Sequence, residues 1–359
     1  MGGADSDVAP SGRLTLPVQL LLAFVAGVLY PLAFAPFHLW PLTFASAAVL
    51  FWLLSRAEGQ MLLLAWVFGL GKYAVGVSWI YVSIHQYGGA SPLLAGAMVA
   101  VFVAFMALFC LPIGWFLGKL KASNQHISKS ALAMGFVATW VLMEWMLTWF
   151  LTGFPWLFAG HAMLGTPLQG YAPVIGTFGL SLVVMTITAA AMLSADQAQT
   201  SRVRIGTAGV VLVLVGLGIS LDTQVWTKPT GRYEAGLVQG NIDQAIKWDA
   251  DQRLNNVRKH MQLSEDHWDA DMLIWPEFAL TLYGQDALAV TDVLNRRGAS
   301  SQTNVVIGMP DVQWQDQERY QVFNSAQGFG QASGKFAKHH LVPFGDYVPL
   351  QDYLRGLIE

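Results

Sequence analysis

A single cysteine in 359 residues, Cys110, excludes a disulfide framework and any cysteine-based zinc spacing. It sits in an apolar run, where a free thiol serves as a small packing residue. Charge is scarce too: Asp, Glu, Lys and Arg make up 12% of the chain, against about 25% in an average soluble domain. A net charge of −3 gives no basic footprint, so nucleic acid is not an expected partner. Internal repeats and low-complexity segments are absent as well. The scarcity of charge is uneven. Residues 1–222 hold 8 Lys/Arg and 6 Asp/Glu, whereas residues 223–359 hold 12 and 17. The step near Asp222 marks two domains, 1–222 and 223–359.

What the first domain has instead is long hydrophobic runs. A membrane-spanning helix needs about 20 mostly apolar residues. Seven segments qualify, at 14–34, 39–55, 61–83, 92–118, 131–151, 171–193 and 205–221, the second and seventh being short. Ala33-Phe34-Ala35 resembles a signal cleavage site, but Pro36 directly after it and the long apolar stretch favour an uncleaved helix. The expected architecture is a polytopic α-helical membrane domain.

Loop charge orients it. With the N-terminus in the cytoplasm, the cytoplasmic segments carry Arg13, Arg56, Lys119, Lys121, Lys129, Arg202 and Arg204. The opposite loops, around 37–39, 84–91 and 151–170, contain no Lys or Arg. This is the positive-inside pattern. It predicts a multi-pass protein of the bacterial inner membrane with residues after about 222 in the periplasm. Two of the outer segments, Ser78–His85 and Gly153–Phe158, are aromatic and nearly uncharged. They form either an interfacial aromatic belt or the lining of a lipid entry site. Lys72 and Glu144 fall inside predicted helices, where a charge is costly, and are either structural or functional.

The last 137 residues are a different material. Glu234–Gln239, Met272–Trp275 and Val305–Met309 are short apolar runs bounded by turn formers, as buried strands are. Residues 250–267 and 287–297 read as helices between them. Strand, helix, strand, helix, strand indicates a layered α/β domain. Glu277 closes the strand through Trp275-Pro276, and a carboxylate at a buried strand end suits a general base if desolvation raises its pKa. Sixty-one residues on, Lys338 opens a segment with two histidines and a proline turn. Taken alone, Glu277 is a loop or cap carboxylate and Lys338 a solvated surface lysine.

Their order and spacing change that reading, together with Val238-Gln239-Gly240-Asn241-Ile242-Asp243-Gln244-Ala245-Ile246-Lys247-Trp248. These three segments, V-Q-G-N-I-D-Q-A-I-K-W, I-W-P-E and K-H-H-L-V-P-F-G-D-Y-V-P, resemble the carbon–nitrogen hydrolase (nitrilase) superfamily. More closely they resemble its apolipoprotein N-acyltransferase family, which the membrane segments 32–41, 76–85 and 152–156 are also similar to. The resemblance runs from about residue 20 to 350 and implies that the second domain is part of a nitrilase-like αββα sandwich.

It also implies an enzyme without metal or cofactor. A cysteine thiolate takes an acyl chain from a membrane phospholipid, and the N-terminal amine of a diacylglyceryl-modified apolipoprotein resolves the thioester. By the same resemblance Glu277 is the base, Lys338 stabilises the oxyanion, Asp346 supports the pair and Trp248 lies at the substrate entrance. Asp346 stands where the family usually has Glu, and Leu147 where it commonly has Arg. The family's nucleophilic cysteine lies well beyond its lysine, whereas this sequence runs 21 residues past Lys338. The chain is therefore expected to be C-terminally truncated, inactive as given, and left with uncovered strand faces. Two other functions compete: a membrane-tethered amidase or nitrilase-like hydrolase, and a transporter or ligand-binding protein. Against the transporter, the membrane half shows no repeated or inverted pattern.

Overall fold

The computed structural model describes residues 14–124, 126–282, 284–314, 320–342 and 346. Arg13, and residues 343–345 and 347–349 of the Lys338 segment, lie outside the described residues. The chain divides into two compact units, Met1–Trp226 and Thr227–Glu359.

In the first unit each of the seven apolar segments is helical. The main helices are α1 (Leu16–Leu29), α2 (Pro41–Arg56), α3 (Met61–Gly76), α4 (Pro92–Ala107), α5 (Leu111–Ser123), α6 (Lys129–Met146), α7 (Ala172–Ala195) and α8 (Ser201–Asp222). Their starts follow local chemistry. Proline enters at the first turns of α1, α2 and α4, where its missing N–H costs nothing. The side chains of Ser91, Ser128 and Thr200 accept bonds from first-turn amides of α4, α6 and α8. Among the described residues four stretches can cross a bilayer by length and composition: Leu16–Ala33, Pro92–Ser123, Pro167–Ala195 and Ser201–Asp222. Met61–Gly76 and Ile80–Tyr87, bent by 58°, make a fifth if taken as one span. Pro41–Arg56 is a shorter apolar helix.

Small residues let α1 and α3 approach closely. A Cβ on Gly27 would stand 2.8 Å from the backbone nitrogen of Lys72, and one on Gly71 would stand 2.9 Å from that of Val28. Beside this contact, Tyr30, Phe68 and Phe136 ring Trp140 at centroid distances of 5.7, 6.0 and 5.6 Å. Lys72 and Glu144 are both fully buried in this interior. Lys72 Nζ has no hydrogen-bond partner among the described residues and lies 4.8 Å from the Tyr30 ring centre and 5.6 Å from that of Trp140. Glu144 Oε1 accepts from Trp140 Nε1 at 2.9 Å and from the Ala159 amide at 2.7 Å. Cys110 is buried between α4 and α5.

The second unit is built on a mixed sheet of β1 (Ala235–Leu237), β2 (Met272–Trp275), β3 (Asn304–Trp314), β4 (Tyr320–Gly330) and β5 (Lys335–Ala337), in that spatial order. β1, β2 and β3 run parallel, joined by crossovers containing α9 (Arg253–Ser264) and α10 (Gly284–Ser301); β4 and β5 pair antiparallel. Leu273 and Trp275 of β2 and Val305, Ile307 and Met309 of β3 alternate onto one face. There they meet Val257 of α9 and Ala287 and Leu294 of α10. The opposite face carries Met272, Ile274 and Val306, which are exposed or half-buried. Among the described residues the unit thus forms one sheet-and-helix half of a sandwich.

Candidate active site

The site is assembled where β2 ends. Pro276 has no N–H to continue the ladder, so the chain leaves the sheet and Glu277 emerges beside β3. The turn is held by amides of Ala279 and Leu280 donating to Gly308 O at 2.9 and 3.3 Å. Gly308 has to be glycine for this: a Cβ there would stand 2.6 Å from Glu277 Cα. Phe278, next in the chain, adopts a left-handed conformation with φ 49°. The Glu277 side chain is 59% exposed, so the desolvation expected from its strand-end position is not what prepares it. The reason is geometric: the residue lies past the last ladder position, outside the layer covered by α9 and α10.

What surrounds Glu277 is a polar cluster. Lys338 follows β5 and is fixed by its own amide, which donates to Asn324 O at 2.8 Å. Its ammonium stands 3.4 Å from Glu277 Oε1 and 2.7 Å from Asp346 Oδ2. Asn324 of β4 donates through Nδ2 to Glu277 Oε1 and to Asp346 Oδ1, the latter at 3.2 Å. Asp346 Oδ2 also accepts from the Val342 amide at 2.8 Å. Partial burial alone would lower the Lys338 pKa, but Asp346 and Glu277 outweigh it and hold it above the ordinary lysine value. Burial likewise pushes Asp346 up, and Lys338, the Val342 amide and Asn324 together bring it below the usual carboxylate range. The shorter Asp346 therefore reaches the ammonium without the extra methylene.

The structure brings three of the four predicted residues into direct contact: Glu277, Lys338 and Asp346. Trp248 reaches the edge of the cluster through Phe278, the two rings 5.2 Å apart. Its neighbour Lys247 donates to Glu277 O at 3.0 Å, and burial lowers the Lys247 pKa while the Glu277 charge acts against this. A cavity of about 170 Å³ opens here, lined by Gly240, Lys247, His260, Glu277 and Phe278 among others. Sequence reasoning missed Asn324. Nothing in its flanking residues marks it, and only the β3–β4 register, which sets Pro310 opposite Asn324, delivers it to Glu277.

In the helical unit the two aromatic segments singled out above meet each other. Trp79 and Trp156 lie 5.7 Å apart, and Trp156 Nε1 donates to Gly76 O at 2.8 Å. Leu147, where the family commonly has Arg, is fully buried.

The comparisons with known proteins agree with both units. The family model described as apolipoprotein N-acyltransferase N-terminal domain matches residues 26–190, and that of carbon–nitrogen hydrolases matches residues 234–359. An apolipoprotein N-acyltransferase of Pseudomonas syringae pv. tomato is 37% identical over 342 residues, covering 94% of this chain and 67% of the relative. The chain belongs to the apolipoprotein N-acyltransferase family. The enzyme of the same name from Pseudomonas putida is also 37% identical over 342 residues, with the same coverage. That from Coxiella burnetii is 35% identical over 337 residues, covering 91% of this chain and 66% of the relative. The chain thus spans about two thirds of the length of these relatives. Family membership makes this an acyltransferase sequence with a multi-pass membrane part, set within the carbon–nitrogen hydrolase superfamily.

Proposed function

We propose that the protein transfers a fatty acyl chain from a membrane phospholipid, through a cysteine thioester, to the N-terminal amine of a diacylglyceryl-modified apolipoprotein. The observation that carries this reading is the Lys338 ammonium lying between Glu277 and Asp346. Glu277 lies beside a cation and keeps an exposed face, so a proton-bearing group can reach its carboxylate. Lys338, pinned by Asp346 and the Asn324 carbonyl, offers fixed positive charge to an oxyanion formed next to Glu277.

The steps follow. Glu277 takes the proton of a cysteine thiol, and the thiolate attacks the ester carbonyl of the phospholipid. The tetrahedral oxyanion is stabilised by Lys338. Its collapse releases the lysophospholipid alkoxide, which takes the proton back from Glu277. The acceptor amine then attacks the thioester, Glu277 removes its proton, and the thiol is restored. Cys110 is not this thiol, because it is buried in the helical unit. The reading therefore takes its nucleophile from sequence other than these 359 residues. In the proposed orientation the N-terminus is cytoplasmic and the α/β unit periplasmic.

The test uses the full-length protein, a phospholipid donor and a diacylglyceryl lipopeptide acceptor, with the product read by mass. Glu277→Gln and Lys338→Met should each lower transfer by about 10²–10⁴-fold. Transfer within tenfold of wild type in either variant would sink the assignment. Release of free fatty acid in place of acylated lipopeptide would favour a hydrolase.

A further inference from the structure

The helical unit holds a second concave site, remote in chemistry from the carboxylate–lysine cluster. The C-terminus of α2, the start of α3, the second half of α5 and the start of α6 enclose an open cavity of about 780 Å³. Four cations line it, Arg56, Lys119, Lys121 and Lys129, against one carboxylate, Glu58. Two of the four are built into the fold. Lys121 Nζ donates to the carbonyls of Leu54, Ser55 and Ala57 at 3.0, 2.7 and 3.0 Å, closing the end of α2. Lys129 pairs with Asp196. The other two, Arg56 and Lys119, are exposed, and the Arg56 guanidinium lies 4.5 Å from the Trp52 ring centre.

The rest of the wall is apolar. Leu62 and Trp115 stand open to the surroundings, over a floor containing Met61, Gly114 and Gly118. The floor is low because α5 is glycine where it crosses α3: a Cβ on Gly114 would stand 2.8 Å from Met61 C. A cation cluster beside exposed Leu and Trp matches a ligand with an anionic head and a hydrocarbon body. A free phosphate would use the cations and leave the apolar wall wet.

We infer that this cavity holds the headgroup of an anionic phospholipid, its phosphate on Arg56 and Lys119 and its glycerol and upper acyl chain on Leu62 and Trp115. Basic pockets between membrane helices bind such headgroups. The inference rests on the membrane reading of this unit. In the proposed orientation the cavity faces the cytoplasmic leaflet, since its four cations sit at the helix ends assigned to the cytoplasmic side. The lipid held here is then a retained, stabilising one and not the acyl donor.

The experiment is native mass spectrometry of the full-length protein in detergent, titrated with phosphatidylglycerol or phosphatidylcholine. Wild type should retain phosphatidylglycerol in preference. The Arg56→Gln/Lys119→Gln variant should lose about thirtyfold in its apparent affinity for phosphatidylglycerol. Arg202→Gln/Arg204→Gln, which removes two cations elsewhere, should keep the wild-type affinity. No headgroup preference in wild type, or unchanged affinity in the Arg56/Lys119 variant, would overturn the proposal. So would complete competition by millimolar inorganic phosphate, which would mark a free-anion site. Acyl transfer by the Arg56/Lys119 variant in detergent is measured alongside and should stay near wild type. Failure of the acyltransferase reading would appear in that assay, whereas failure of the lipid site would appear only in the lipid titration.

Discussion

Asp346 and Lys338 depend on one another, and their shifts act in opposite directions with pH. The Asp346 pKa is depressed in the folded chain, largely by hydrogen bonds that outweigh its burial. Its contribution to stability is therefore complete above the ordinary carboxylate range and disappears as pH falls through the depressed value. The Lys338 pKa is raised, so its contribution is complete below the ordinary lysine value and is lost as pH rises through the raised one. Near neutral pH both are present. Asp346→Asn should then cost about 1.5–3 kcal/mol at pH 7, the range for a hydrogen bond to a charged group. Denaturation at a series of pH values would show the gap to wild type closing in acid; a gap independent of pH would refute the ionic role. Asn324 poses a sharper question, because it bridges two carboxylates that share one lysine. Asn324→Asp adds a third carboxylate, so the acidic limb of the activity profile should move up by about one pH unit or more. An unmoved limb would place Asn324 outside the proton chemistry. Glu277, Lys338 and Asp346 were legible in the sequence because each sits in a recognisable segment. Asn324 was not, because a polar residue within Gln321–Gln327 has no local signature and takes its position from strand pairing.

At the scale of elements, hydrophobic periodicity located what is apolar and missed what is not. β1, β2 and the start of β3 were readable as short apolar runs, and α9 and α10 from helical spacing, with ends off by a few residues. β4 and β5 were not readable. Tyr320–Gly330 mixes Gln, Asn, Ser and Gly with scattered aromatics, and it is a strand because β3 supplies a long antiparallel edge. That strand carries Asn324 and leads to Lys338, so the unread elements are the ones that close the site. The contact between β3 and the turn after β2 is just as specific. A methyl group at Gly308 would press on the backbone of Pro276 and Glu277, which has no side-chain freedom with which to yield. Gly308→Ala should therefore destabilise the α/β unit by about 1–3 kcal/mol. It should also displace Glu277 enough to lower acyl transfer by about 10²-fold. A variant with wild-type activity and melting would show that the loop has an alternative seat.

For the whole molecule the decisive quantity is the placement of charge along the chain. The helical unit has its Lys and Arg gathered at the helix ends that flank alternate connections, apart from the buried Lys72. The helices themselves set only a bound, because among the described residues four stretches are long and apolar enough to cross and a fifth depends on a 58° bend. Length therefore leaves the number of crossings open, and charge has to decide which ends share a compartment. Moving a cation-bearing loop to the outer face opposes the positive-inside bias, and the loops around 37–39, 84–91 and 151–170 contain no cation to oppose it. The proposed orientation requires an odd number of crossings from a cytoplasmic start, with the α/β unit outside. Single-cysteine labelling tests this in a full-length Cys110→Ala background. A membrane-impermeant maleimide added to spheroplasts should label Gly89→Cys and Thr230→Cys, and should reach Gln197→Cys only after permeabilisation. Labelling of Gln197→Cys with protection of Thr230→Cys would invert the topology. It would also place Glu277 and Lys338 in the cytoplasm, contrary to the proposed orientation.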